Sequence, residues 1–411
     1  MGANMNLGGF HQFLKKGSLI IIECDGSEHR FGEGSPSATW QIRAPHTFAK
    51  ILRNPQRNLG ETYIAGEWDV TEGSLHDLLT ILRINLETEL SNKILFKPAQ
   101  ALLSSWNHLA ASKRNVQHHY DLDEPLFRAC LDHDMNYSSA FFRDRDMSLE
   151  VAQKAKCSLI ANKLCLQPGQ KVLDVGCGWG GLVMYLAENY DVEVTGVTLS
   201  GEQSRVAKQE AERRGLSDRV HFLVEDYREH HRPYDRLVSV GMFEHVGRRY
   251  QKTFFNKVAE LITEDGIALL HTIASLRPPA PLNPWISRYI FPGGYIPSLS
   301  DIAPAIEHSG LITTDLEVLR EHYALTLKEW NRRFQAQRDD FVASKGERFC
   351  RMWEFYLVCS QTAFEVGILV VHQWQLAKQQ LAVPVTRDYL YPPDVLKECE
   401  TSPKQTLHRV E

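Results

Sequence analysis

From position 18 the chain alternates between two hydrophobic periods. SLIIIECDGSEHRFG reads as a β-hairpin turning at Asp25 and Gly26, and ATWQIRA as a further strand. HTFAKILRN and SLHDLLTILRINL carry the three-and-four spacing of amphipathic helices. Together they predict a small α+β unit over residues 1–108, in which 59–70, LGETYIAGEWDV, is a packed loop between helices. A polar stretch at 109–117 reads as a linker, 118–395 as a second unit, and 396–411 as a frayed tail. The second unit opens with a helical lead-in and then brings five apolar runs at the rhythm of a doubly wound sheet: 171–175, 193–200, 220–226, 236–242 and 267–273. Later, LTLKEWNRRFQAQRDDFV and ERFCRMWEFYLVCSQTAFEVGILVV read as long helices with broad aromatic and aliphatic faces. Before them, 277–300 contains RPPAPLNPWISRYIFPGGYIPS, whose prolines and glycines argue against regular structure. Its Trp285, Tyr289, Phe291 and Tyr295 are too apolar for an idle surface loop, so the segment is expected to be a lid or pocket wall.

The first run of the sheet leads straight into KVLDVGCGWGG, 171–181. Val172, Leu173 and Val175 suit a buried parallel strand, Asp174 sits near its carboxyl end, and Gly176, Gly178, Gly180 and Gly181 let the backbone approach a ligand before a helix opens. A glycine-rich turn alone also fits a dinucleotide fold or simple helix-on-strand packing. The second strand decides between them: it ends in Thr198, Leu199 and Ser200, with Gln203 one turn on, rather than in the acid that holds a nicotinamide cofactor's ribose. The pattern D-x-G-x-G-x-G then points to a class I S-adenosylmethionine methyltransferase, a Rossmann-like α/β fold.

The 411 residues carry a formal charge of -5, without the concentrated basic face that nucleic acid requires. Lys113 with Arg114 and Arg248 with Arg249 are too short to count as basic tracts and read as solvated surface, with a modest cationic patch toward anionic lipid headgroups as the alternative. Eight scattered cysteines form neither a zinc pattern nor a disulfide framework, so no metal is expected and a reduced cytoplasm fits. The start of the sequence lacks a secretory signal, and 366–371 falls far short of the ~20 apolar residues of a membrane span. Any membrane contact is therefore expected to be peripheral.

Ligands of such sheets sit beyond the carboxyl ends of the strands. Asp174, Glu244 with His245, and His271 fall there, and Glu244 in VGMFEHVG is apolar in context, so its carboxylate needs a partner. A helix-terminal carboxylate and a satisfied core histidine are equally good readings of Glu244 and His271; His230 and His231 are expected to face solvent. Tyr137 and Ser138, in DMNYSSAFF, lie over the cofactor if that segment folds back as a cap.

The succession of HYDL at 119–122, MNYSSAFF, LDVGCGWGG, GVTLSGEQ, SVGMFEHVG, LLHTIAS, PWISRYIFPGGYIPS and HYALTLKEW resembles the cyclopropane-fatty-acyl-phospholipid synthases and the related mycolic acid cyclopropane synthases. The resemblance covers about 118–375, and the N-terminal block is similar to the extra domain of the bacterial phospholipid enzymes. It implies methylene transfer from S-adenosylmethionine to a cis double bond of a phospholipid acyl group, from the inner face of the membrane, and suggests a dimer. It further implies a bicarbonate base held by Glu244, His271, Tyr323, the backbone of Ile273 and the residue at 139. Around the cofactor it implies Tyr137, Ser138, Asp174, Gly176, Cys177, Gly178, Gly180, Thr198, Leu199, Gln203, Asp226, Tyr227 and Arg228. Tyr289, Phe291 or Tyr323 offer aromatic faces to a carbocation. The sequence departs from the family pattern at Ser139, where cysteine is usual, and at Ser360, with Cys359 displaced by one. A C-methyltransferase of fatty acyl groups, forming a methyl- or methylene-branched product, shares almost every motif; a lipid-binding module without catalysis, or a small-molecule methyltransferase, fits less well.

Overall fold

In the computed structural model, which describes residues 13–90 and 124–390, the predicted hairpin forms from β1 (Gly17–Ile22) and β2 (Glu28–Glu33). Gly26 turns it at φ 88°, and the Asp25 carboxylate accepts from Ser27 N at 2.9 Å. β3 (Ser37–Ile42) lies parallel to β1, helices α1 (Thr47–Arg53) and α2 (Pro55–Ile64) follow, and β4 (Trp68–Glu72) closes a sheet of order β2-β1-β3-β4. α3 (Leu75–Leu90) covers it, burying Leu78 and Ile81. The expected loop at 59–70 is instead the end of α2 and the start of β4. Tyr63 and Trp68 are core residues with ring centroids 4.7 Å apart, which gives those aromatics their reason.

The remaining elements are α4 (Glu124–Cys130), α5 (Leu149–Lys163), β5 (Lys171–Val175), α6 (Gly181–Tyr190), β6 (Glu193–Thr198), α7 (Gly201–Arg213), β7 (Val220–Val224), β8 (Tyr234–Val240), α8 (Gln251–Leu261), β9 (Ile262–Ser275), α9 (Pro284–Tyr289), α10 (Leu299–Ser309), β10 (Ile312–Leu319), α11 (His322–Ala336), α12 (Arg338–Lys345), α13 (Glu347–Glu365) and β11 (Leu369–Ala377). They build a seven-stranded sheet, β10-β11-β9-β8-β5-β6-β7. β7, β6, β5, β8 and β9 are parallel, as the apolar runs required; β11 and β10 add antiparallel strands at one edge. No described helix is long and apolar enough to cross a membrane. The helical lead-in before the sheet contains α4 and α5; its first residues, 118–123, the linker at 109–117 and the tail at 396–411 lie outside the described residues.

Three helix expectations change. The long helix ending in GILVV stops at Glu365; Gly367 turns at φ 73° and the backbone returns as β11, buried between β9 and β10. LTLKEWNRRFQAQRDDFV is two helices, α11 and α12, meeting at Gln337. Within 277–300 a short helix does form, α9, because Pro284 sits at its first position, where no amide bond is lost, and Asn283 Oδ1 accepts from Trp285 N at 2.9 Å and Ile286 N at 3.2 Å.

The N-terminal sheet unit grips this aromatic segment and α13. Arg351 donates to Tyr63 O at 2.6 Å and Trp68 O at 2.8 Å and lies 4.0 Å over the Tyr63 ring; Tyr289 Oη donates to Glu61 at 2.8 Å. Gly60 of α2 supports Trp285 so closely that an added Cβ would meet the indole Nε1 at 2.6 Å. Glycine-to-alanine inside a helix ordinarily stabilises by ~0.5–1 kcal/mol. Here Gly60→Ala is expected to destabilise by ~1–3 kcal/mol through overpacking, a reversal of sign that urea denaturation reads directly.

Candidate active site

One cavity opens beyond the carboxyl ends of β5, β6, β8 and β9, under a cap formed by residues 135–139. Its lining holds Tyr137, Ser138, Ser139, Asp174, Gly176, Cys177, Gly178, Thr198, Leu199, Gln203, Asp226, Tyr227, Arg228, Glu244, His271, Ile273 and Tyr323. Gly180 is not on the lining. It turns at φ 85° at the head of α6, where a Cβ would strike the Phe222 ring at 2.7 Å, so its role is packing. Gly176 and Gly178 also turn at positive φ; a Cβ on Gly176 would meet Met242 at 2.7 Å.

At the β5 end, Asp174 is 2% exposed and its Oδ1 has no hydrogen-bond partner; burial pushes the carboxyl up to about 7, opposed by the charge of Lys156. At the β6 end, Ser200 caps α7 by accepting from Gln203 N, and Thr198 Oγ1 donates to Gln203 Oε1 at 3.0 Å. That bond fixes the amide and leaves Gln203 Nε2 buried and unpartnered. Beyond β7, Asp226 receives a two-pronged bond from Arg228, at 2.8 and 2.6 Å, so the predicted turn is neutralised within itself. Tyr137 stacks on Trp330 at 5.2 Å and bonds the Tyr356 hydroxyl at 2.9 Å, which locks the cap onto α11 and α13.

The second half of the cavity lies beyond β8 and β9. Glu244 occupies a single 3-10 turn after β8; its Oε1 accepts from Ile273 N at 2.6 Å, while Oε2 is buried without a partner. Burial pushes this carboxyl up to about 7. Its main-chain oxygen accepts from Tyr295 N at 2.8 Å, tying the aromatic segment to the same turn. His271 on β9 is 2% exposed and held neutral, its pKa pushed down to about 3 by burial and nearby lysines. Gln373, directly opposite on β11, donates to its Nδ1 at 3.0 Å, so the neutral ring carries its proton on Nε2. Tyr323 meets Trp330 edge to face at 5.8 Å. Ser139 is fully buried and its hydroxyl donates to Ala140 O at 3.1 Å.

Of the four aromatics in 277–300, Phe291 and Tyr295 line the cavity, whereas Trp285 and Tyr289 pack toward α2 and α13. Tyr289 therefore does not serve as an aromatic face toward the cavity. His230 is buried, not solvent-facing: its ring bonds Glu225 and the Tyr234 hydroxyl. His231 is exposed as expected. Sequence reasoning missed Lys156 and Leu282 on the lining; His245, expected beyond the end of β8 beside Glu244, lines it too, and burial pushes its pKa down to about 4. Lys156 had a signal, since it falls four residues after Ala152 and four before Ile160, on the buried face of α5. No group of three or more metal-ligating side chains occurs among the described residues.

Asp174 Oδ1, Gln203 Nε2 and Glu244 Oε2 are thus three buried polar atoms without protein partners in one cavity. The first two, beside a glycine turn that admits a ligand to the backbone, suit the polar amino-acid and ribose portions of S-adenosylmethionine.

Residues 107–374 match the family described as mycolic acid cyclopropane synthetase, and 12–93 match a domain of unknown function. The cyclopropane-fatty-acyl-phospholipid synthase of Escherichia coli K12 is 39% identical over 84% of this chain and 88% of its own length. A probable fatty acid methyltransferase of Pseudomonas putida is 33% identical over 89% and 94%. Among solved structures, mycolic acid cyclopropane synthase CmaA1 complexed with SAH and CTAB aligns with a TM-score of 0.61 and 36% identity, over 64% of this chain and 97% of that one. With its glycine turn, its seven-stranded sheet and this likeness over most of its length, the chain belongs to the mycolic acid cyclopropane synthetase family, as an enzyme of the S-adenosylmethionine-dependent methyltransferase class.

Proposed function

We propose that this enzyme converts the cis double bond of an unsaturated phospholipid acyl group into a cyclopropane ring. S-adenosylmethionine, when bound, supplies an electrophilic sulfonium methyl group. The observation that carries the reading is the pairing, in one cavity, of the glycine turn with a buried carboxylate, Glu244, whose Oε2 has no partner.

The enzyme's residues divide the work. Asp174, Gln203 and the 176–178 backbone hold the donor; Thr198 orients Gln203. Leu282, Phe291, Tyr295 and Ile296 exclude water from an alkene, a nucleophile so weak that proximity must supply much of the rate. Phe291 and Tyr323 offer ring faces to the cation that forms on the acyl group. Ring closure then requires loss of a proton from the transferred carbon, and Glu244 takes it up. A bicarbonate ion would supply an intervening base, held by Glu244, by neutral His271 through Nε2–H, by Tyr323 and by the backbone at Ile273 and Ser139. Serine in place of cysteine at 139 leaves that backbone group in position, and its hydroxyl is occupied by Ala140 O.

Likeness to a probable fatty acid methyltransferase keeps one other product in view, a methyl- or methylene-branched acyl group formed by proton loss from a different carbon. Purified protein, the donor and liposomes of cis-unsaturated phospholipid are expected to give cyclopropane fatty acid. Ring and methylene branch have equal mass, so proton NMR of the product decides; a branched product sinks the ring-forming reading.

A further inference from the structure

We propose that Lys156 is a positioning residue: its ammonium fixes Ser138 as a hydrogen-bond donor toward the carboxylate of the methyl donor's amino-acid end. The proposal rests on the donor-pocket reading above and assigns a role to a side chain that the motifs leave out.

Lys156 is 1% exposed, on the inner face of α5, and reaches the cavity lining. Its ammonium donates to Asn136 Oδ1 at 3.1 Å and to Ser138 Oγ at 3.0 Å, with no carboxylate at ion-pair distance among the described residues. The other buried lysine of the same helix behaves differently, since Lys163 is paired with Glu317 and Asp315. A buried ammonium with no carboxylate in direct contact is costly, even with the charges of Asp132 and Asp174 acting on it from farther off, and a methionine would fill the same apolar space without that cost. Packing therefore does not account for the charge.

Its hydrogen bonds do. An ammonium has only donors, so every neighbour must turn an acceptor toward it. Asn136 presents Oδ1, which leaves its Nδ2 to donate to Asp132 Oδ2 at 2.8 Å; its main-chain N donates to Asp132 Oδ1, also at 2.8 Å. Asp132 thereby anchors the far end. On the near side Ser138 Oγ accepts from the ammonium, so its own proton is directed elsewhere. Ser138 and Asp174 line the same cavity. A hydroxyl polarised by a cation is a strong donor, matched to a carboxylate, while Asp174 with its bare Oδ1 is matched to an ammonium. The two together fit the zwitterionic end of S-adenosylmethionine. The positive charge of Lys156 also opposes the burial that disfavours ionised Asp174.

Two ligands separate this from a merely structural role: S-adenosylhomocysteine, which has the amino-acid end, and 5′-methylthioadenosine, which lacks it. By calorimetry, Lys156→Met is expected to weaken S-adenosylhomocysteine about 10- to 100-fold while changing 5′-methylthioadenosine less than about 3-fold. Ser138→Ala should reproduce the selective loss, and the double variant should be no worse than Lys156→Met alone. Equal weakening of both ligands in a folded Lys156→Met, unchanged affinity, or simple additivity overturns the assignment. Should Lys156→Met not fold, Lys156→Gln is read by the same comparison of ligands, and equal weakening of both or unchanged affinity in that variant overturns the assignment. Wild-type protein that binds neither ligand would instead sink the donor-pocket reading, and this inference with it.

Discussion

Glu244→Gln is expected to lower turnover by about 10²- to 10⁴-fold while leaving S-adenosylhomocysteine affinity within about 3-fold of wild type. The amide keeps the shape and can still accept from Ile273 N, but it cannot take up a proton, and it stands across the cavity from Asp174 and Gln203. The same substitution should stabilise the fold at high pH. Burial raises the carboxyl from 4.5 to about 7, so between those values the folded state binds a proton that the unfolded state has released. Stability from this group therefore falls as pH rises through the window, and above about 7 the deficit reaches up to ~3 kcal/mol. The glutamine variant carries no such deficit. Urea midpoints should show it more stable than wild type at pH 8 and indistinguishable at pH 4, because Asp174 and the other buried acids titrate alike in both proteins. Unchanged turnover removes Glu244 from the mechanism; lost turnover with no stability gain at pH 8 would mean that its carboxylate is already charge-compensated in the fold.

The parallel core of the sheet was legible because its strands are apolar on both faces, so composition alone marks them; β5, β6 and β8 end within two residues of where the apolar runs predict. The edge strands were not. β10 reads ITTDLEVL, half-exposed and polar, and β11 follows α13 after three residues, so one apolar stretch contains both a helix and a strand. Only Gly367, at a helix end, punctuates it. Missing β11 had a chemical consequence, since Gln373, which sets the tautomer of His271, comes from that strand. The site itself was legible where chemistry forces residue type, at the glycine turn and at a carboxylate in apolar surroundings. It was illegible where long-range packing decides: Tyr289 and Trp285 belong to the surface that meets α2, and nothing local distinguishes them from Phe291 and Tyr295. Lys156 sits on a helical face whose period was readable, but a lysine there is ordinarily assigned to solvent.

At saturating donor and fixed bicarbonate, turnover is expected to fall as pH drops through about 7, by about tenfold per unit, reaching about 100-fold at pH 5. Glu244 must begin ionised to receive the proton of ring closure, and its burial sets the midpoint. The two histidines of the cavity do not share this limb: burial pushes His271 down to about 3 and His245 to about 4, so both stay neutral throughout. Asp174 does titrate near the same pH, yet it lies in the donor half of the cavity. Its protonation should therefore appear in the affinity for S-adenosylhomocysteine, measured by calorimetry across the same range, and not in turnover at saturation. The residual turnover of Glu244→Gln should be flat between pH 5 and 8, whereas its S-adenosylhomocysteine affinity should keep the wild-type pH dependence. If the acid limb of turnover survives in the glutamine variant, another group receives the proton. If turnover instead rises as pH falls, Glu244 acts as a proton donor to the bound anion, and the direction of proton transfer assigned to it is reversed.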